Sequence, residues 1–247
     1  MHPVFFSIGP VTFYSYGLML ALAIAVCAYL LSRDARELNI PAQVILDLVF
    51  WVAMSGIVGA RIFYILLNWN YFVANPIEII MVQHGGLAWQ GSFIAGTLAG
   101  LWFTKKNALP LLTMLDLSAP YTALGQAIGR IGCFLNGCCY GKPVPWGIYF
   151  PVHEAYLHPT QLYESRGLFM IFLVLKNLRP RVIVRGQVFV LYIILASGLR
   201  FVNEFFRGDH TTTYGGLSIF QIVSLGIFCT GIHFYLLVVQ KQNTISR

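Results

Sequence analysis

Long apolar stretches recur along the chain, separated by short segments where polar, glycine and proline residues gather. A bilayer core takes about 20 apolar residues per helix, and seven stretches approach that length: 13–31, 42–67, 87–103, 109–129, 159–178, 187–206 and 217–239. The fourth is the weakest, because Asp116 and Pro120 interrupt it. The pattern predicts an all-α polytopic membrane protein of about seven transmembrane helices, with six as the alternative count. No stretch is left over for a soluble domain, so 1–247 reads as a single integral membrane domain. A cleaved signal peptide is not expected, since no basic segment precedes the first apolar stretch and no small-residue cleavage site follows it.

The distribution of lysine and arginine between the stretches sets an orientation. With the N-terminus outside, the inner connections hold Arg33 and Arg36, then Lys105 and Lys106, then Lys176, Arg179, Arg181 and Arg185. The tail adds Lys241 and Arg247, which brings the inner side to ten of the sixteen basic residues. The connection 68–86, assigned outside, has none. The chain therefore reads N-terminus outside, C-terminus cytoplasmic.

Arg61, Arg130, Lys142, Arg166, Arg200 and Arg207 remain. At about 1.5 Å of rise per residue, Arg61 lies about 27 Å along the second stretch, and all six fall near the outer leaflet. Ionisable groups at membrane depth are paired, face a cavity, or serve function. Taken singly, Arg61 or Arg130 can snorkel to the interface. As a set, against the positive-inside tendency, they fit a cavity for an anionic ligand such as a phospholipid phosphate better.

Composition agrees with a membrane: 57% of the residues are apolar and 10% charged, against about a quarter charged in soluble domains. The +7 net charge reflects scarce acids rather than a basic block. Without interleaved basic and aromatic surface segments, nucleic acid is not an expected partner.

Three segments carry candidate chemistry. In Gly129-Arg130-Ile131-Gly132-Cys133-Phe134-Leu135-Asn136-Gly137-Cys138-Cys139-Tyr140-Gly141, the glycines permit tight turns and close approach of a ligand, and Arg130 offers a fork of donors. Arg200, Glu204 and Arg207 are spaced by four and three, so they fall on one helical stripe where Glu204 can hold either arginine. An internal ion pair without chemistry is the plainer reading of that stripe. Gly85-Gly86-Leu87-Ala88-Trp89-Gln90-Gly91 stands at the outer entrance of the third stretch, where small residues often serve packing.

Together these residues resemble the bacterial phosphatidylglycerol–prolipoprotein diacylglyceryl transferase family. That family carries Gly-Arg-x-Gly-Asn-Phe-x-Asn-Gly-Glu-x-x-Gly in an outer loop, which 129–141 matches with two departures. The resemblance extends to Tyr16-Gly17-Leu18-Met19, Gly59-Ala60-Arg61 with Tyr64, and Asp116 with Ala119-Pro120. It continues through His158-Pro159-Thr160-Gln161-Leu162-Tyr163-Glu164, the Arg200/Glu204/Arg207 stripe, and Gln221 with Ser224.

The resemblance implies an enzyme of the bacterial cytoplasmic (inner) membrane, its site facing the outer leaflet. It would move the diacylglyceryl group of phosphatidylglycerol onto the lipobox cysteine thiol beside a prolipoprotein signal peptide, releasing glycerol 1-phosphate. The partners implied are phosphatidylglycerol, prolipoprotein signal peptides and membrane lipid. Arg130 and Arg200 would hold the phosphate, with Glu204 and Arg207 ordering them. Tyr16 and Asn136 would add hydrogen bonds near the headgroup, and Arg61, Gly141 and His158 are further substrate-binding candidates. No cofactor is expected.

The departures bear on mechanism. Gln90 stands where the family usually has a histidine regarded as general base, and an amide accepts no proton at neutral pH. His84 and His158 are the histidines available to substitute. The signature's first Asn is Cys133 and its Glu is Cys138, followed by Cys139. On the oxidising side a disulfide from Cys133 to Cys138 or Cys139 is expected. A zinc site with His84, His153 or His158 and direct thiol catalysis are the lesser readings, and no metal is expected. Cys27 and Cys229 read as packing residues. The rival functions are a related phospholipid-dependent transferase with another acceptor, and a lipid-binding or transport protein without chemistry.

Overall fold

The computed structural model describes every residue except 9–10, 82–84, 183, 210–214 and 246–247. Helix dominates, and each of the seven apolar stretches is helical. In chain order the helices are α1 (Ser15–Ala35), α2 (Ala42–Leu67), the short α3 (Trp69–Ala74), α4 (Trp89–Lys106), α5 (Leu111–Asn136), α6 (Thr160–Leu178), α7 (Gln187–Glu204) and α8 (Ile219–Ile245).

Among the described residues, four segments are long and apolar enough to cross a membrane: Ser15–Leu38, Ala42–Leu67, Gln187–Glu204 and Ile219–Leu237. Helices α5 and α6 carry Asp116, Arg130, Glu164, Arg166 and Lys176, which lower their apolar character. Large apolar side chains point outward, as Phe50, Met54, Ile57, Ile62 and Leu66 do on α2, the arrangement a lipid environment favours.

The apolar pattern does not foresee two short antiparallel hairpins. Strand β1 (Val4–Ile8) pairs with β2 (Val11–Tyr14), and β3 (Pro143–Phe150) pairs with β4 (Ala155–Leu157). The first takes up Phe13, so α1 begins at Ser15 rather than two residues earlier.

The chain divides into two compact units, Met1–Leu31 with Leu115–Arg247, and Ser32–Met114. In the second unit, α2 and α4 meet through glycine. A Cβ on Gly59 would sit 2.3 Å from the Cβ of Ala95, and one on Gly91 would sit 2.2 Å from the Gly59 carbonyl oxygen. Without a hydrophobic drive between helices in lipid, such backbone approach is what associates them.

In the first unit, polar side chains on one helix hold another. Asp116 on α5 accepts the backbone N–H groups of Gly186 (2.5 Å) and Phe189 (2.9 Å) and so caps the N-terminus of α7. This accounts for a carboxylate in the fourth apolar stretch: it meets donors that no residue of α7 satisfies. Ser165 Oγ on α6 donates to the Ala127 carbonyl on α5 at 2.8 Å. Helix α8 begins with a reciprocal capping box. Gln221 N–H donates to Ser218 Oγ at 3.1 Å, and Ser218 N–H donates to Gln221 Oε1 at 2.8 Å.

Candidate active site

Six charged residues of the first unit, Arg130, Glu164, Arg200, Glu204, Arg207 and Asp209, form one network. Glu164, buried on α6, takes Arg130 on Oε1 at 2.9 Å and Arg200 on Oε2 at 3.4 Å. Asn203 Nδ2 donates to the same Oε2 at 3.1 Å. Arg200 also reaches Glu204 at 2.9 Å, and Arg207 lies 3.8 Å from the same Glu204 oxygen. Glu204 is fixed from behind by Ser218 Oγ, which donates to its Oε1 at 2.9 Å.

Arg207 departs from the stripe the spacing predicts. Helix α7 ends at Glu204, so Arg207 sits beyond it, and its closest carboxylate is Asp209, gripped bidentately at 2.8 and 2.5 Å. Burial disfavours its charge, but the hydrogen-bonded Asp209 outweighs that and raises the guanidinium's pKa.

Exposure sorts the network by role. The side chains of Arg130 and Arg200 are 24% and 20% exposed, whereas Glu164 and Glu204 behind them are 8% and 2%. Each arginine carries five N–H donors, and the carboxylates engage only part of each fork. Two guanidiniums held side by side by one buried carboxylate, each with an open edge, can receive an anionic oxygen group.

The 129–141 segment is shaped by its backbone. Helix α5 ends in a Schellman motif: Gly137 adopts φ +79°, its N–H bonds the Phe134 carbonyl at 3.1 Å, and Cys138 N–H bonds the Cys133 carbonyl at 3.2 Å. Gly141 lies where three strands of chain cross. Its N–H donates to the His158 carbonyl at 3.0 Å, it bridges to Arg207, and a Cβ there would sit 2.4 Å from that of His158. This supports a packing role for Gly141. Tyr16 lies along α5 at Gly132, where a Cβ would come within 3.2 Å of the Tyr16 ring. Asn136 is exposed at the helix end and hydrogen-bonds the Cys138 thiol.

His158 is buried, with its Nδ1 3.2 Å from Tyr163 Oη and its ring enclosed by Trp146, Tyr163 and Phe206. That environment suits packing more than substrate contact. The following residues hold the cysteine loop: Thr160 Oγ1 donates to the Cys139 carbonyl at 2.7 Å and Gln161 Nε2 to the Cys138 carbonyl at 2.6 Å. Gln161 Oε1 and Asn203 Oδ1 are buried acceptors without a donor among the described residues. Where the sequence anticipates a bridge from Cys133, the structure has three free thiols whose sulfurs lie within 4.8 Å of one another. Hydrogen bonds from the Cys133 and Cys138 thiols pull the Cys139 thiol well below its usual pKa against the effect of burial, and Arg207 and Arg130 add to the shift.

Two candidates belong to the other unit. Arg61 is buried, and all five of its donors are spent on backbone carbonyls: Ile79 (3.1 Å), Gly85 (2.5 Å), Gly86 (3.1 Å), Met81 (3.3 Å) and Glu78. Its guanidinium lies 5.3 Å from the Phe72 ring. Arg61 therefore organises the loop ahead of α4, with no donor left for a ligand. Gln90 is exposed on the first turn of α4. His84 falls outside the described residues.

Spacing hides Glu164 best. It stands 34 and 36 positions from the arginines it joins, within a matching stretch in which the sequence gives it no role. Ser218 carries a visible signal, Ser-x-x-Gln ahead of an apolar run. An apolar cleft of about 400 Å³ between α7 and α8, lined by Val190, Ile193, Ile227 and Phe234 among others, contains no ionisable side chain.

Because Ser218 holds both the α8 terminus and Glu204, Ser218→Ala is expected to cost about 1–2 kcal/mol, the upper range for a lost N-cap. The melting temperature in detergent and turnover should both fall, and Ser218→Thr should restore most of each. An unchanged Ser218→Ala would separate Glu204 from its support.

Residues 3–237 match the model of a family described as prolipoprotein diacylglyceryl transferase. A protein of Finegoldia magna named phosphatidylglycerol–prolipoprotein diacylglyceryl transferase is 39% identical over 235 residues, covering 94% of each chain. One of Trichormus variabilis with the same name is 37% identical, covering 90% of this chain and 84% of its own. One of Bacillus cereus strain G9842, also so named, is 34% identical and covers 92% and 88%.

Proposed function

This chain belongs to the prolipoprotein diacylglyceryl transferase family, and we propose that the open edges of Arg130 and Arg200 hold the phosphate of its lipid donor. The protein is a membrane transferase that moves the diacylglyceryl group of phosphatidylglycerol to prolipoprotein. The observation that carries the site assignment is the placing of these two arginines on the two oxygens of one buried carboxylate, Glu164.

The chemistry follows from that arrangement. The acceptor is the thiol of the lipobox cysteine beside the signal peptide. The thiol gives its proton to water, the thiolate sulfur attacks the diacylglyceryl carbon, the carbon–oxygen bond to phosphate breaks, and the electron pair leaves with glycerol 1-phosphate. Charge builds on the departing oxygen, where donors fixed in advance stabilise the transition state more than the ground state. Glu164, Glu204 and Ser218 keep those donors from reorganising. Tyr16, at the start of α1 beside Gly132, and Asn136, at the end of α5, are the headgroup contacts.

The wider frame is part of the same proposal. All seven long helices cross the bacterial inner membrane as one domain, N-terminus outside and C-terminus cytoplasmic, with the arginine site at the outer leaflet. The distribution of lysine and arginine supports this. Expression in a bacterium depleted of its own diacylglyceryl transferase tests the reading. Restored prolipoprotein lipidation is the expected result, and accumulation of unmodified prolipoprotein despite membrane insertion would contradict it.

Gln90 is a positioning residue in this scheme, since its amide accepts no proton. Gln90→Glu should therefore bring no gain in turnover. The pH–rate profile should keep its shape in His84→Ala; loss of a limb near pH 6–7, the range of an unperturbed histidine, would make His84 the base instead.

A further inference from the structure

We infer that Cys133, Cys138 and Cys139 form a zinc site whose fourth position receives a thiol. This rests on the reading that the acceptor is a cysteine thiol, and it assigns the group that ionises it.

Geometry supplies the first argument. The three sulfurs lie within 4.8 Å of one another, each partly buried and free. Around a tetrahedral zinc with Zn–S bonds of about 2.3 Å, sulfurs stand about 3.8 Å apart. Small side-chain rotations therefore close the trio onto an ion. Local backbone holds the set in place. The Schellman turn at Gly137 brings Cys138 back over Cys133, and Cys139 adopts φ +62°, uncommon for a residue with a side chain. The carbonyls of Cys138 and Cys139 are gripped by Gln161 and Thr160, both almost fully buried.

The donor set favours zinc as well. Three thiolates select a soft or borderline ion over calcium or magnesium. His153, which reaches the loop from the turn between β3 and β4, is already engaged: its Nε2 lies 3.1 Å from the Gly137 carbonyl oxygen, and its ring packs 3.9 Å from that of Tyr140. Among the described residues the protein thus offers three ligands, the number in catalytic zinc sites that keep one position open. A zinc trithiolate carries one net negative charge, and Arg130 and Arg207 lie within electrostatic reach of Cys139.

The reaction also needs a group that ionises the acceptor thiol. In the network around Arg130, the carboxylates Glu164 and Glu204 are each held by arginines, and His158 is enclosed by aromatic rings. None is placed as a general base among the described residues. A zinc-bound thiol needs none, because coordination deprotonates it outright. The acceptor S–H would release its proton to water on binding. Its sulfur would then form the new carbon–sulfur bond as the carbon–oxygen bond to phosphate breaks, the electron pair leaving with the phosphate. Zinc undergoes no change of oxidation state.

Wild-type protein purified in detergent from zinc-supplemented cells is expected to hold zinc equimolar with the chain. Exchange for cobalt should give a thiolate-to-cobalt charge-transfer band and the visible bands of a tetrahedral ion. Adding a lipobox peptide, without phospholipid, should shift the visible bands, and the same peptide with serine for cysteine should not. Cys138→Ser should lose the metal. Substoichiometric zinc in the wild type, cobalt bound without a thiolate band, or a Cys133 disulfide found by mass spectrometry after alkylation without reductant would overturn the site. Identical spectra with both peptides would overturn the open position. Transfer to the peptide is assayed separately, so protein that transfers without binding metal sinks the zinc site and leaves the transferase reading intact.

Discussion

Arg130→Ala and Arg200→Ala are each expected to lower transfer by about a hundredfold or more while the protein still inserts and folds. A charge-assisted contact that strengthens in the transition state supplies a few kcal/mol, which is two or more powers of ten in rate. Folding should survive because the buried carboxylate keeps partners in either variant. Without Arg130, Glu164 still receives Arg200 and Asn203, and without Arg200 it still receives Arg130 and Asn203. Turnover with phosphatidylglycerol and a lipobox peptide, measured beside the melting temperature in detergent, separates the two effects. Near-normal turnover in either variant would remove the phosphate clamp.

The largest structural loss is expected from Glu164→Ala. Removing the shared carboxylate leaves Arg130 and Arg200 next to each other without the charge between them, and the Asn203 amide loses its acceptor. Breaking a buried pair by deleting one partner costs about 3–5 kcal/mol. The partial exposure of both arginines puts the expected loss near the lower end, about 3 kcal/mol, because water screens part of their repulsion. Glu164→Gln keeps an acceptor oxygen without the charge and should recover part of the stability. In Glu164→Gln, kcat should fall more than the KM for the lipid rises, since the arginines stay present but lose their fixed geometry. Equal stability of the alanine variant and the wild type would contradict the role given to Glu164.

What sequence reveals here divides along the reach of each interaction. The helices are legible because apolar runs of bilayer length have few other uses, and all seven stretches are helical. The Arg200–Glu204 pair is legible because a spacing of four places neighbours on one helix face, and the structure puts them 2.9 Å apart. Arg207 follows the same arithmetic on paper. It escapes because α7 stops at Glu204 and the chain turns toward Asp209.

Glu164 is invisible to spacing, since its contacts cross from α6 to α5 and α7. Arg61 shows the limit of reading charge alone. An arginine near the end of an apolar helix suggests a ligand, yet this one is consumed by carbonyls of the loop ahead of α4. Asp116 looks like a flaw in an apolar helix until the N-terminus of α7 is brought beside it. The two hairpins are short, and their strands lack the alternation that distinguishes a strand from the end of an apolar run.

The most direct test of the account incubates purified protein with phosphatidylglycerol and a lipobox peptide, and follows both products by mass spectrometry. The expected result is a peptide heavier by one diacylglyceryl group on its cysteine, released glycerol 1-phosphate in equal amount, and both products formed about a hundredfold or more slowly by Arg130→Ala. Unmodified peptide with folded wild-type protein, or modified peptide formed equally well by Arg130→Ala, would contradict it.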